Sequence, residues 1–272
     1  MEITKMWLTV NPYSRPGTIR KRTEKIAVHY VGNPGTTALN NRNYFEGLKN
    51  QKPDSTGKYC LTSDGKYLIY NGGRVAIRYV SSNYIVGLDG EVLECVPPEE
   101  IAYCTNQANE YSISIECCHP DATGKFTDAT ETALAELCVY LLKRYGLTAA
   151  DIIRHYDVTG KQCPLYWSPT KYQPAEVANG RFAAFKNRVR DMLGNAPDVP
   201  ESVEELPFCV KIIDSALNIR KAPGTSSEVV GVIRGGGIYT IVDTEMVGSV
   251  RWGKLKSGIG WISLGEKYVR RI

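Results

Sequence analysis

No stretch of the chain approaches the roughly 18 consecutive apolar residues that a membrane-spanning helix needs, so membrane insertion is not expected. The first residues, Met1-Glu2-Ile3-Thr4-Lys5, alternate charged with apolar side chains and lack the contiguous apolar core of a secretory signal. Such a chain is expected to be made in the cytoplasm and to stay soluble unless another route takes it out. A marked excess of one charge is missing too: 33 Lys and Arg stand against 29 Asp and Glu, a net +4 over 272 residues. That balance gives no sign of a nucleic-acid partner, although an uneven distribution along the chain still matters. Repeats and low-complexity tracts are absent, and 43% hydrophobic with 23% charged residues excludes a disordered or fibrous protein. Histidine is scarce, with three in all: His29, His119 and His155.

Cysteine is not scarce, but its eight positions do not form a disulfide framework. Most lie in apolar strand-like or helix-like segments, and a chain of this length needs no covalent staples. They are expected to be small buried hydrophobes, with one exception argued below.

The clearest break in composition is 195–206, which holds two prolines, four acids and no base and reads as a linker. It separates residues 1–194 from residues 207–272. Before it, Lys25–Val31 is a short apolar run ending at Gly32 and Asn33, hence a buried strand entering a loop. Tyr84–Val96 is a hairpin candidate around Asp89-Gly90, and Asp64-Gly65 suggests another between Tyr59 and Tyr70. Ser112–Cys118 alternates, setting Ile113, Ile115 and Cys117 on one face against Ser114 and Glu116 on the other. One helix is expected with Asp128 as cap, Glu131 three residues on, an apolar stripe of Leu134, Leu137, Cys138, Leu141 and Tyr145, and Gly146 as its stop. A second carries Phe182, Phe185, Val189 and Leu193 and ends at Gly194. Strands interleaved with helices predict an α/β domain, a mixed central sheet covered by helices. After the linker no helical period remains. About five short runs between Gly-rich turns predict a small all-β barrel.

His155 stands eight residues before Cys163, with the turn Thr159-Gly160 between them, so the loop can return an imidazole and a thiolate to one metal ion. Nitrogen and sulfur donors suit Zn²⁺, and His29 at the end of the first strand can supply a third ligand. Three protein ligands leave a fourth position open, the arrangement of a catalytic rather than a structural site. Each residue alone also has an ordinary reading: His29 as a satisfied core residue, Cys163 as a buried thiol, Glu116 as a solvated strand-face carboxylate and Lys161 as a turn lysine. His119 follows Cys117-Cys118, but adjacent strand residues point to opposite faces, so His119 is read as a rim or substrate-facing residue rather than part of a metal cluster.

Ala27-Val28-His29-Tyr30, Ser112-Ile113-Ser114-Ile115-Glu116 and His155…Lys161-Gln162-Cys163-Pro164 occur in one order that resembles the zinc-dependent N-acetylmuramoyl-L-alanine amidases of the type 2 family. That family includes phage lysozyme-like amidases and is related in fold to the peptidoglycan recognition proteins. The resemblance covers roughly residues 1 to 190. It implies that His29, His155 and Cys163 are zinc ligands, that Glu116 is the catalytic carboxylate and that Lys161 lies near the developing oxyanion. Two departures stand out: Ser81-Ser82-Asn83 has no histidine where many relatives do, and residues 52–74 look like an insertion. Ala216–Gly224, Val229–Ile233, Trp252–Leu255 and Gly260–Ile262 resemble the bacterial SH3-like domains that accompany wall hydrolases, with Trp252, Trp261 and Tyr239 as a candidate stacking surface and at least one Trp in the core.

The resemblance implies a peptidoglycan hydrolase that cleaves the amide between the lactyl group of N-acetylmuramic acid and L-alanine, held on the wall by its C-terminal domain. The expected setting is a phage-type endolysin that reaches the wall after release. The rivals are a bacterial autolysin, a non-catalytic peptidoglycan-recognition protein and a structural-zinc adaptor. Split at the linker, the charge is uneven: residues 1–194 carry +3, the linker −4 and the tail from Pro207 +5.

Overall fold

The computed structural model describes residues 1–195, 206–247, 250–265 and 267–272, and the chain divides into two units, Met1–Pro197 and Asp198–Ile272. The expected linker lies, apart from its two end residues, outside the described residues.

The first unit is built on a six-stranded mixed sheet. Its strands are β1 (Ile3–Lys5), β2 (Lys25–Tyr30), β5 (Tyr84–Val86), β6 (Val92–Glu94), β7 (Ser112–Cys117) and β8 (Ile152–Arg154), in the order β1-β6-β5-β7-β2-β8. Only the β5–β6 pair is antiparallel, and Gly90 supplies the positive φ of +86° at the expected turn between them. The helices are α1 (Ala38–Gly47), α2 (Asp128–Tyr145), the single turn α3 (His155–Thr159) and α4 (Ala175–Asn195). A small hairpin, β3 (Ile69–Tyr70) with β4 (Gly73–Arg74), stands apart from the sheet.

Strand alternation sorts the two faces of the sheet. Ile26 and Val28 of β2 and Ile113, Ile115 and Cys117 of β7 pack under α2 and α4, against Leu134, Leu137, Leu141, Phe182 and Phe185. Burial of a large apolar side chain contributes about 1.5–3 kcal/mol, and α2 buries four leucines completely. The opposite face packs Ile85 and Leu93 against Ala38 and Phe45 around α1. His29 and Glu116 lie on β2 and β7 one residue out of phase with the first set, and β2 and β7 pair in parallel with His29 opposite Glu116.

Details of the helix ends differ from the sequence expectation. Thr127, not Asp128, caps α2: its hydroxyl accepts from Thr130 N, leaving Asp128 and Glu131 in the first turn to complement the dipole. Gly146 does end this helix, at φ +65°. Gly194 does not end α4, which continues to Asn195. The insertion makes its turn at Asp64-Gly65, where Thr62 N bonds Lys66 O at 2.8 Å, and adds β3–β4 around Asn71 and Gly72, both at positive φ.

The second unit is a seven-stranded antiparallel sheet in the order β11-β10-β14-β13-β12-β9-β15. It comprises β9 (Phe208–Ile212), β10 (Ala216–Arg220), β11 (Val229–Arg234), β12 (Ile238–Val247), β13 (Val250–Leu255), β14 (Trp261–Ser263) and β15 (Val269–Arg271). Five of the seven, β9, β11, β12, β13 and β14, correspond to the β-rich runs of the sequence at Val210–Ile213, Val229–Ile233, Tyr239–Val242, Trp252–Leu255 and Gly260–Ile262. The other two are β10, whose Ala-Leu-Asn-Ile-Arg alternates exposed with buried residues, and the short β15. Trp252 is buried in this unit's interior, so it is no part of a stacking surface, whereas Trp261 is half-buried.

Candidate metal centre and its surroundings

The carboxyl ends of three parallel neighbours, β7, β2 and β8, meet at one point, the usual place for a site in an open α/β sheet. His29 is the last residue but one of β2, Glu116 the last but one of β7, and His155 follows β8 directly. The loop after α3 then returns, with Tyr156 N bonding Cys163 O at 3.0 Å, and places Cys163 beside both histidines. His155 Nδ1 lies 3.2 Å from His29 Nδ1, and Cys163 Sγ lies 3.6 Å from the same atom. All three residues are buried. Their ligand atoms fall within 4.8 Å of one another, so the group could hold a metal ion.

The donors are prepared for that role. His29 Nε2 meets Thr105 Oγ1 at 2.8 Å; with the proton on Nε2, Nδ1 presents its lone pair to the cluster. The backbone N–H of Tyr30 lies near Cys163 and favours its thiolate form. Burial holds His29 well below its ordinary pKa, and burial with the nearby Lys161 charge brings His155 down to about 4, so both imidazoles are neutral. Burial pushes the Cys163 thiol up, so a bound cation would have to displace its proton. Two neutral imidazoles and a sulfur at this spacing fit Zn²⁺.

Glu116 sits on the next strand. Its Oε1 accepts from the Cys104 thiol at 3.5 Å, while Oε2 is buried with no partner among the described residues. Burial raises its pKa to about 8, against the lowering pull of Cys104 and Lys161. Lys161 itself is exposed, and its charge bears on His29, His155, Cys163 and Glu116 alike. The structure thus brings together His29, His155, Cys163 and Glu116, with the Lys161 charge near enough to bear on all four. It also adds Cys104 and Thr105, which sit in a loop with no motif to betray them.

His119 is not a rim residue. It is 1% exposed, its ring lies 5.0 Å from that of Tyr30, and Nδ1 meets Asp121 O at 2.7 Å. The missing histidine of Ser81-Ser82-Asn83 has a structural counterpart. Asn83 is fully buried, donates to Pro97 O and Glu100 O, and accepts from Ser114 N, clasping the chain beyond β6 to β7.

The sequence profile of the N-acetylmuramoyl-L-alanine amidase family matches residues 20–166, more than half of the chain and including every residue of this cluster. The chain belongs to this amidase family. A bacterial SH3 domain profile matches residues 215–269. Among curated relatives, the amidase CwlL of Bacillus licheniformis is 31% identical over 207 residues, covering 72% of this chain and 48% of that protein. The amidase BlyA of Bacillus subtilis (strain 168) is 27% identical over 289 residues, covering 98% of this chain and 72% of BlyA. The chain spans about half the length of the Bacillus licheniformis relatives it matches. The solved structure of PlyL aligns with 70% of this chain and 98% of its own, at 22% identity and a TM-score of 0.49. No helix of the amidase chain, among the described residues, is long and apolar enough to cross a membrane.

Proposed function

We propose that the chain is a zinc-dependent peptidoglycan amidase that hydrolyses the bond between the lactyl carbonyl of N-acetylmuramic acid and L-alanine. The observation that carries this reading is the meeting of His29, His155 and Cys163 beside a carboxylate with one unpartnered oxygen. His29, His155 and Cys163 would hold the zinc, which when bound polarises the carbonyl and makes water a competent nucleophile near neutral pH.

The chain's own residues do the rest. Glu116 Oε2 accepts the proton of the attacking water and returns it to the departing amine of L-alanine, and burial, which raises the carboxyl above its ordinary range, favours its proton-returning role. Cys104 holds Oε1, which keeps Oε2 turned toward the reacting atoms. The Lys161 ammonium donates to the carbonyl oxygen as it gains negative charge. Thr105 fixes His29 and thereby helps to set the distance between nucleophile and base. The C-terminal unit is read as the wall-binding part, and the setting as release of the enzyme to the wall at lysis, as in a phage endolysin.

Mass spectrometry of digested peptidoglycan is the test. New L-alanine amino termini are expected; new reducing sugar ends instead would overturn the reading. Chelation should abolish lysis and zinc restore it, and Glu116→Ala should lower turnover by about 10²-fold or more with wall binding retained. A chain that binds walls, holds no zinc and releases no alanine termini is a recognition protein and not an enzyme.

A further inference from the structure

Glu116 opens into a second space besides the metal centre. A pocket of about 250 Å³ is lined by Glu116, by Asn41 and Tyr44 of α1, and by Arg78, Tyr79 and Val80. These last three residues follow the 52–74 segment and precede β5, and the amidase cluster itself assigns them no role.

The wall they form is held from both sides. The Gln51 amide brackets the Arg78 backbone, donating to its carbonyl at 2.9 Å and accepting from its N–H at 2.8 Å. Val80 N bonds Tyr13 O at 3.1 Å, and the Tyr79 ring lies 5.7 Å from that of Tyr13 and 6.0 Å from that of Tyr103. The backbone under Arg78 is therefore fixed, while its side chain is exposed and makes no ion pair among the described residues. Tyr44 and Tyr79, 53% and 57% exposed, present rings at the same mouth.

The chemistry of the substrate decides what fits. The space suits one or two amino acids and is small for a disaccharide. The glycan side of the cleaved amide carries no carboxylate, because its lactyl carboxyl is consumed in the bond. The peptide side does: a second-residue D-glutamate linked through its γ-carbon keeps a free α-carboxylate, which amidation to isoglutamine removes. We infer that Arg78, with Tyr79 and Tyr44, forms a subsite that selects stem peptides whose second residue bears a free α-carboxylate. Guanidinium is the side chain best shaped for bidentate carboxylate recognition. This inference rests on the amidase reading for the position of the cleaved bond.

The test compares kcat/KM of the zinc-loaded full chain on N-acetylmuramoyl-L-alanyl-γ-D-glutamyl-L-lysine and on its counterpart with D-isoglutamine at the second position, so that the γ-carboxyl is in an amide bond in both. An exposed charge-assisted contact is expected to favour the acid by about fivefold. In Arg78→Gln that ratio should fall to within about twofold, and in Arg78→Lys it should be intermediate. A ratio cancels any loss of folded protein, since such a loss slows both substrates equally. Equal rates in the unaltered chain, or a preference that survives Arg78→Gln, would overturn the subsite. If neither compound is cleaved, the amidase reading fails instead. The two Kd values by calorimetry then test Arg78 alone: tighter binding of the acid supports the subsite, and equal binding overturns it.

Discussion

Glu116 concentrates the chemistry of the site into one residue, and its surroundings make a consequence measurable without substrate. Burial raises its pKa from 4.5 to about 8, so the folded metal-free chain keeps a proton that the unfolded chain has already released. Between those values the folded state binds more protons, and stability from this group falls as pH climbs through the window. Below 4.5 both states are protonated and the group contributes nothing. Glu116→Gln has no charge to desolvate, so metal-free Glu116→Gln should gain on the unaltered chain as pH rises from about 5 to 8, by more than about 1 kcal/mol. His155 runs the opposite way, its folded pKa of about 4 lying below 6.5, but it is present in both proteins and cancels. Thermal melts across that range check this; a difference that stays constant with pH would mean that the carboxyl is not desolvated.

At the scale of elements, the weakest scaffold carries a proposed metal ligand. Helix α3 is a single turn of five residues that cannot persist alone. Its start is clamped: Asp157 accepts from Arg154 N at 2.8 Å and from Arg154 Nη2 at 2.6 Å, and the same guanidinium reaches Trp167 O and Asn179. Arg154 thus ties β8, α3 and α4 together behind His155. Asp157→Ala removes no ligand but frees that turn, so zinc affinity should fall by about 10- to 100-fold while the sheet and its helices stay folded. Competition with a chromogenic chelator gives the affinity; an unchanged Kd would show that the clamp does not position His155. The same element marks the limit of what local sequence encodes. Strands β2 and β7 and helices α2 and α4 are legible because each buries a periodic apolar face. Strand β8 and helix α3 bury too little for a period, β1 is three residues long, and only the sheet makes them regular. The cluster of His29, His155, Cys163 and Glu116 can be anticipated because three short motifs, in their order along the chain, resemble those of the amidase family; spacing alone leaves the ordinary reading of each residue open. Cys104 and Thr105 reach it through long-range loop contacts that no local pattern encodes. His119 departs from its expected place at the rim because Tyr30 and Asp121, which enclose it, act through tertiary packing and a loop carbonyl.

Over the whole molecule, two units have separate hydrophobic cores, and the proposed function gives hydrolysis to the first and wall binding to the second. In that proposal hydrolysis is local to the cluster, whereas an insoluble polymer rewards any module that keeps an enzyme near it, since tethering raises effective concentration without a new catalytic contact. The tail from Pro207 carries 10 basic and 5 acidic residues, the most basic composition for its size in the chain. A polyanionic wall attracts such a module over long range, and salt shortens that range from about 10 Å at 0.1 M to about 3 Å at 1 M. The fraction of full-length protein that sediments with walls should therefore drop several-fold across this interval. Turnover of a small soluble muropeptide by the same protein should change by less than about twofold, because its contacts are made at short range inside the first unit. Sedimentation unaffected by salt would assign wall binding to apolar and hydrogen-bonding contacts of the tail, with its net charge playing no part.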